Sequence, residues 1–291
     1  MFGSIRLKAC AKINLCLDII AIRKDGYHLI ESIMQSLELH DTVSVHKRSD
    51  GKIRVYCPGF DIPEKSNVAY KAAKVFFEEN GLGEKAGATI YIKKRIPSQA
   101  GLGGGSADAA AVLVALNKLY KTGISEDKLS LLGAKVGADV PFCVCGGTRL
   151  CRGLGEILTK LDDLNDCYIV LVKGYDGVST KQAYEDYDNA SDLVCLRLEK
   201  VVEAISAGNF EALRGKLINV FEESTSVKEV SVLVNALRDA GAVEAAMTGS
   251  GSAVFGIFTE RKVAKKCARE LKKNYPFACV TRPSVRGVYR F

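Results

Sequence analysis

Long apolar runs are absent: the longest, such as YIVLV at 168–172, falls far short of the roughly 20 residues that cross a bilayer. The N-terminal stretch MFGSIRLKACAKINL has neither a signal-peptide core nor an Arg- and Ser-rich transit bias, so a cytoplasmic protein with no membrane partner is expected. Histidine is scarce. His28, His40 and His46 are the three, and none stands at metal-ligand spacing from a cysteine. Ten cysteines are present but no CxxC pair, the closest spacing being Cys143-x-Cys145. They fall in apolar segments (Cys16, Cys143, Cys167, Cys267, Cys279), as buried reduced thiols acting as small hydrophobes do. No internal repeat or low-complexity tract is visible. The net charge of +7 is partly local to RKVAKKCARELKK (261–273), an amphipathic helix pattern with Val263, Cys267 and Leu271 inward and a solvated basic face. The excess suits an anionic ligand such as a nucleotide. A nucleic-acid binder would interleave exposed aromatics with Lys and Arg along one face; no such cluster is visible, and no nucleic-acid partner is expected.

What is present is an ordinary globular composition, 47% hydrophobic and 26% charged, over 291 residues. That length exceeds what one core serves comfortably, so two domains are expected. The polar stretch LDDLND near 161–166 marks the boundary, giving units of 1–160 and 161–291. AKINLCLDII (11–20) alternates as a half-buried strand, with Ile13, Leu15, Leu17 and Ile19 on one side and Lys12, Asn14, Cys16 and Asp18 on the other. Further strands are expected at 41–48, 52–59 and 88–97, and helices at 67–80, 106–120 and 125–136. The second half reads as a strand at 167–173, helices at 198–206, 210–222 and 226–240, then strand, basic helix and strand. Helices packed on a small sheet would result.

PSQAGLGGGSADAA (97–110) places four glycines and a serine at the mouth of a helix. Glycine weakens strands and helices alike, so a run of them signals a need for bare backbone. The first turn of a helix offers unpaired N–H groups and roughly +0.5 of a charge, and without side chains in the way a di- or triphosphate can rest on them. Ser106 can cap this helix, bind phosphate or ligate Mg²⁺. The segment is not a P-loop, since no lysine follows Gly105, nor a dinucleotide fingerprint, since Ser106 stands three residues after Gly103. A flexible turn stays open as the alternative.

Together with AKINLCLDI near the N-terminus and MTGSGSAVFG (247–256), this loop resembles the motifs of the GHMP kinase superfamily. AKINLCL, RKDGYHLIESIMQSLELHD, GLGGGSADAA and GADVPF in that order resemble its 4-diphosphocytidyl-2-C-methyl-D-erythritol kinases, over about residues 8–290. The resemblance implies an α+β, two-domain GHMP kinase fold: an N-terminal domain with a left-handed βαβ crossover and a ferredoxin-like C-terminal domain, with the active site between them. It also implies ATP-dependent phosphorylation of a tertiary hydroxyl on a methylerythritol carrying a CDP group, in the non-mevalonate route to isoprenoid precursors. A mevalonate- or homoserine-type kinase would share the ATP loop but not DGYH and AKINLCL.

By this resemblance Asp139, in GADVPF, is the base and Lys12 stabilises charge; read alone they are equally a turn-stabilising Asp and a surface Lys. Asn14 would hold the acceptor. Tyr27 and His28 of DGYH would recognise the cytosine, Thr180 would contact substrate, and Tyr184 would stack on the base. Thr248, Gly249 and Ser250 would close over the substrate or the phosphates. Pro97, Ala100, Gly101, Leu102, Gly103, Gly104, Gly105, Ser106 and Ala107 would bind ATP, with Asn67 and Lys94 lining the adenine pocket; a helix N-cap and a strand-end charge are their plain alternatives. Ala107 stands where the family more often has a second serine, leaving Ser106 to do any metal ligation. Asp108 is a nearby carboxylate, and Mg²⁺ is expected to arrive with ATP. Monomer and homodimer both stay open.

Overall fold

The computed structural model describes residues 3–60, 62–190 and 198–291. In chain order the first part comprises β1 (Ser4–Ile22), β2 (His28–Arg48), β3 (Ile53–Tyr56), α1 (Val68–Glu79), β4 (Gly87–Lys93), α2 (Gly104–Tyr120), α3 (Glu126–Ala134), α4 (Val140–Cys145), β5 (Thr148–Gly153) and β6 (Ile157–Lys160). The second comprises β7 (Tyr168–Lys173), α5 (Thr180–Asp188), α6 (Leu198–Ser206), α7 (Val220–Ser224), α8 (Glu229–Asp239), β8 (Glu244–Met247), β9 (Val254–Phe258), α9 (Arg261–Asn274), β10 (Phe277–Thr281) and β11 (Val288–Arg290).

Asp25-Gly26 makes the turn that the sequence marks, with Gly26 at φ +85°, and folds β1 and β2 into a long antiparallel hairpin. Its two halves have different neighbours: residues 42–48 of β2 pair with β4, and residues 30–35 pair with β5. The first sheet runs β11-β1-β2-β4-β3, with β5 and β6 branching from β2. β3 and β4 are parallel and are joined through α1. The second sheet runs β10-β7-β9-β8, entirely antiparallel, which is the 4-1-3-2 order of a ferredoxin-like unit. The chain then crosses back, and β11 pairs with β1 in the first sheet. Among the described residues no helix is long and apolar enough to cross a membrane.

Several expectations need correction. The strand at 11–20 is not half-buried: residues 9–17 are buried on both faces, because α2 and α4 cover one side and elements of the second half approach the other. Lys12 and Asn14 are therefore interior groups. α2 is buried almost all round, since it packs against α1, α3 and α4 as well as β1 and β2. It begins at Gly104, so Ser106 lies inside the first turn and is not its cap. The segment 210–222 is not one helix. A short turn at Phe210–Leu213 is followed by Gly215 at φ +66°, and the chain becomes helical again only when the Asn219 side chain caps α7.

Candidate active site

The loop from Pro97 to Gly103 connects β4 to α2 and forms one wall of a cleft of about 680 Å³. Gly103 takes the N-cap position in the left-handed conformation, φ +67°, and contributes no side chain. The first-turn N–H groups of Gly104, Gly105 and Ser106, which have no helical partner, belong to residues on this wall. Two of the glycines also permit close approach of protein to protein. A Cβ on Gly101 would lie 1.9 Å from the Thr248 carbonyl oxygen, and one on Gly103 would lie 2.8 Å from Lys12 Cγ. The loop thus sits directly on β1, where the Lys12 N–H donates to the Leu102 carbonyl at 3.1 Å.

Lys12 and Asp139 meet beside that loop. Lys12 Nζ is 3.3 Å from Asp139 Oδ2; the lysine side chain is buried, while 30% of the aspartate side chain is exposed. Asp139 stands at the N-terminus of α4 but does not use its carboxylate to cap the helix. Asp139 is thus a helix-terminal residue whose carboxylate pairs with Lys12 and lines the cleft instead of capping α4. Lys12 Nζ also donates to Asn14 Oδ1 at 2.6 Å, and the Asn14 N–H donates to Thr248 Oγ1 at 2.8 Å. Thr248 is fully buried and does not line the cleft; Gly249, Ser250 and Gly251 do. Its expected place against the ligand is corrected to a place behind the wall.

At the opposite end an aromatic group gathers. The His28 ring centroid lies 4.6 Å from that of Tyr184, and Tyr184 meets Phe221 edge-on at 4.9 Å. His28 Nε2 is 2.7 Å from Asp188 Oδ1. Tyr184 and Phe221 line the cleft, as does Thr180, whose hydroxyl is 3.3 Å from that of Ser250. Tyr27, by contrast, is 60% exposed and lies off the cleft wall. Phe221 and Asp188 went unmarked in the sequence. Phe221 sits in NVFEES, an unremarkable apolar position, and only the capped turn of α7 aims it at Tyr184.

On the nucleotide side Asn67 is both things at once: its Oδ1 accepts from the Ala69 N–H at 2.9 Å, capping α1, and it lines the cleft. Lys94 is more than a strand-end charge. Its Nζ bridges Asp41 and Asp108, the latter at 2.6 Å. Burial opposes the Lys94 ammonium, but Asp108 and Asp41 outweigh it and its pKa lies above the ordinary range. Burial pushes the Asp108 carboxyl up to about 7 against the pull of Lys94. Asp108 spends Oδ2 on Lys94, while its Oδ1 is buried without a hydrogen-bond partner and the residue lines the cleft. Ala107 is fully buried and faces the core, whereas Pro97 and Ala100 to Ser106 border the cleft.

Residues 67–147 match the GHMP kinases N-terminal domain and residues 201–276 the GHMP kinases C-terminal domain. A 4-diphosphocytidyl-2-C-methyl-D-erythritol kinase of Clostridium acetobutylicum is 42% identical over 279 residues, covering 95% of this chain and 99% of its own. The chain belongs to the 4-diphosphocytidyl-2-C-methyl-D-erythritol kinase family. A second member of that family, from Clostridium tetani, is 40% identical over 93% of this chain and 96% of its own. The crystal structure of a 4-(cytidine 5'-diphospho)-2C-methyl-D-erythritol kinase superposes with a TM-score of 0.81 at 31% identity, covering 96% of this chain and 99% of that one. A homoserine kinase from Cytophaga hutchinsonii shares the fold, at 19% identity and a TM-score of 0.79 over 98% of this chain and 96% of its own. Membership makes the protein an enzyme, a GHMP small-molecule kinase.

Proposed function

We propose that the protein transfers the γ-phosphoryl group of ATP to the 2-hydroxyl of 4-diphosphocytidyl-2-C-methyl-D-erythritol, a step of the non-mevalonate route to isoprenoid precursors. The observation that carries this reading is the Lys12–Asp139 pair, 3.3 Å apart beside the glycine loop. Phosphoryl transfer asks a protein mainly for positioning and charge stabilisation. The loop N–H groups cradle the phosphates. Asp139 accepts the hydroxyl proton as the acceptor oxygen attacks, and the Lys12 ammonium offsets charge on that oxygen and on the transferred group. Mg²⁺ arriving with ATP would neutralise phosphate charge, held on the protein side by the Ser106 hydroxyl, which borders the cleft and is not spent on capping α2. His28, Tyr184 and Phe221 form the end suited to a pyrimidine, which needs a ring to stack on and a hydrogen-bonding edge. We assign the ATP loop and the catalytic pair to the unit 1–160, extended by β11, and closure over the substrate to the unit from 161 onward.

Asp139→Asn tests the assignment. Loss of a general base costs about 10²–10⁴-fold in turnover, while ATP and acceptor binding stay within a few-fold because volume and polarity are kept. ADP release and equilibrium nucleotide binding measure the two. Turnover within a few-fold of the parent would overturn the role of Asp139. Preference for mevalonate or homoserine over the CDP-linked alcohol would overturn the substrate.

A further inference from the structure

Behind the catalytic lysine lies a chain of hydrogen bonds whose direction is fixed at every link. The Ser32 hydroxyl donates to the Cys16 carbonyl at 2.6 Å. Asn14 Nδ2 donates to Ser32 Oγ at 2.8 Å, and Lys12 Nζ donates to Asn14 Oδ1 at 2.6 Å. The register explains the proximity. Asn14 pairs across the hairpin with Met34, and Ser32, two residues from Met34, shares its face.

A carbonyl oxygen only accepts, so the one proton of Ser32 is committed to Cys16. What Ser32 offers Asn14 is an acceptor, and only the amide NH₂ can answer it. The amide oxygen must then face the other way, toward Lys12, whose ammonium only donates. The orientation of this amide is thus dictated from both ends. Ser32, Asn14 and Lys12 are 0%, 2% and 3% exposed, so water cannot stand in for a missing member.

We infer that Ser32 is a positioning residue for phosphoryl transfer: it locks the Asn14 amide with its oxygen toward Lys12 and thereby holds the ammonium against Asp139. This rests on the reading of Lys12 and Asp139 as the working pair. It also alters the part expected of Asn14, whose oxygen is spent on the lysine rather than offered to the acceptor. Without the Ser32 hydroxyl the amide either keeps a buried N–H unpaired or turns over and sets NH₂ against the ammonium. The first leaves the amide unlocked and the second sets donor against donor, so either loosens the hold on Lys12 beside Asp139.

The test is a double-mutant cycle on the full chain, with kcat, the KM for ATP and the melting temperature measured for Ser32→Ala, Asn14→Ala and the double variant. Ser32→Ala should lower kcat by about tenfold or more, as loss of a buried amide's only acceptor implies, with the KM for ATP little changed. In the Asn14→Ala background the same substitution should change kcat by less than about twofold, because the effect runs through Asn14. Ser32→Cys, similar in volume but a weak acceptor, should show the same loss with the fold kept. Retention of kcat in both Ser32 variants overturns the inference, as does a Ser32→Ala effect that simply multiplies with that of Asn14→Ala. Lys12→Met and Asp139→Asn are assayed alongside. If these two still turn over, the reading of the pair has failed; if they are inactive while Ser32→Ala is not, only the role of Ser32 has failed.

Discussion

Replacing Gly101 by alanine should separate two jobs that the glycine loop performs. The backbone at Gly101 is left-handed, φ +69°, a conformation that costs a residue with a Cβ roughly 1–2 kcal/mol. The added carbon would also meet backbone on three sides: the Thr248 carbonyl oxygen at 1.9 Å, its carbon at 2.8 Å and the Gly251 nitrogen at 3.3 Å. Carbon and oxygen settle no closer than about 3.3 Å, so the loop and the β8–β9 turn must part by more than an ångström. Overpacking of that kind costs about 1–3 kcal/mol. The sum, about 2–5 kcal/mol, corresponds to a fall in Tm of roughly 4–20 °C at the 2–4 °C per kcal/mol of units of 150–250 residues.

Gly105→Ala is the matched control. Gly105 lies in the first turn of α2 with ordinary helical backbone, and its added Cβ would approach only Val68 Cγ2, at 3.2 Å. Alanine is the better helix former by about 1 kcal/mol, so Tm should hold or rise. Both Gly105 and Val68 border the cleft, however, so the methyl group enters space that the phosphates would use and the KM for ATP should climb. Differential scanning fluorimetry and a coupled ADP assay on the two variants read both quantities. If Gly101→Ala melted with the parent, the loop and the turn would not be in contact, and the assembly of the site described above would be wrong.

Two further outcomes are expected. Tyr184→Leu removes the ring between His28 and Phe221; base stacking on an aromatic side chain is worth about 1–3 kcal/mol, so the KM for the acceptor should rise roughly 5- to 150-fold with the KM for ATP unchanged. A rise in both would show that Tyr184 supports the fold rather than the base. Glu222 is half-buried, and that burial raises its carboxyl pKa against the pull of the Met247 N–H that it binds at 2.6 Å. The native state therefore holds this proton to higher pH than the unfolded chain, whose glutamates titrate near 4.3, and stability falls as pH rises through that window. Glu222→Gln keeps an acceptor for Met247 and removes the titration, so its Tm advantage over the parent should be larger at neutral pH than at pH 4. An advantage independent of pH would refute this.

The legible parts of the sequence were those in which one residue type meets one local need. Asp25-Gly26 made a turn, Asn67 preceded a helix that it does cap, and the glycines at 101–105 opened a helix over a cleft. The illegible parts depended on what arrives from elsewhere. The alternation of β1 is genuine, yet both faces are buried because the chain lays helices over one and α7 near the other. Gly103 was read as room for phosphate, but a side chain there would first strike Lys12, so the glycine also guards the lysine. Asp41 carried no signal at all. Its partners are the N–H groups of Arg95 and Ile96 and the ammonium of Lys94, some 50 residues on, and it shapes the approach to the loop from below.

Contacts between residues far apart in the chain make the site one body. Thr248 belongs to the second sheet's turn, yet its hydroxyl accepts from the N–H of Asn14, 234 residues earlier, and lies 3.4 Å from the carbonyl of Gly101. The same group thus joins the strand that carries Lys12 to the loop that would carry the phosphates. Asn219 reinforces it from behind: its amide donates to the Met247 carbonyl at 2.8 Å and to that of Gly249 at 2.9 Å, so the turn cannot tilt without breaking buried hydrogen bonds. Each such bond left unmade would cost about 1–3 kcal/mol, more than the positioning of a single side chain usually gains. A shift of the turn would therefore carry the loop and the lysine strand with it rather than slide past them. That is why the Lys12–Asp139 pair, contributed by β1 and the start of α4, still depends on a turn from the second sheet.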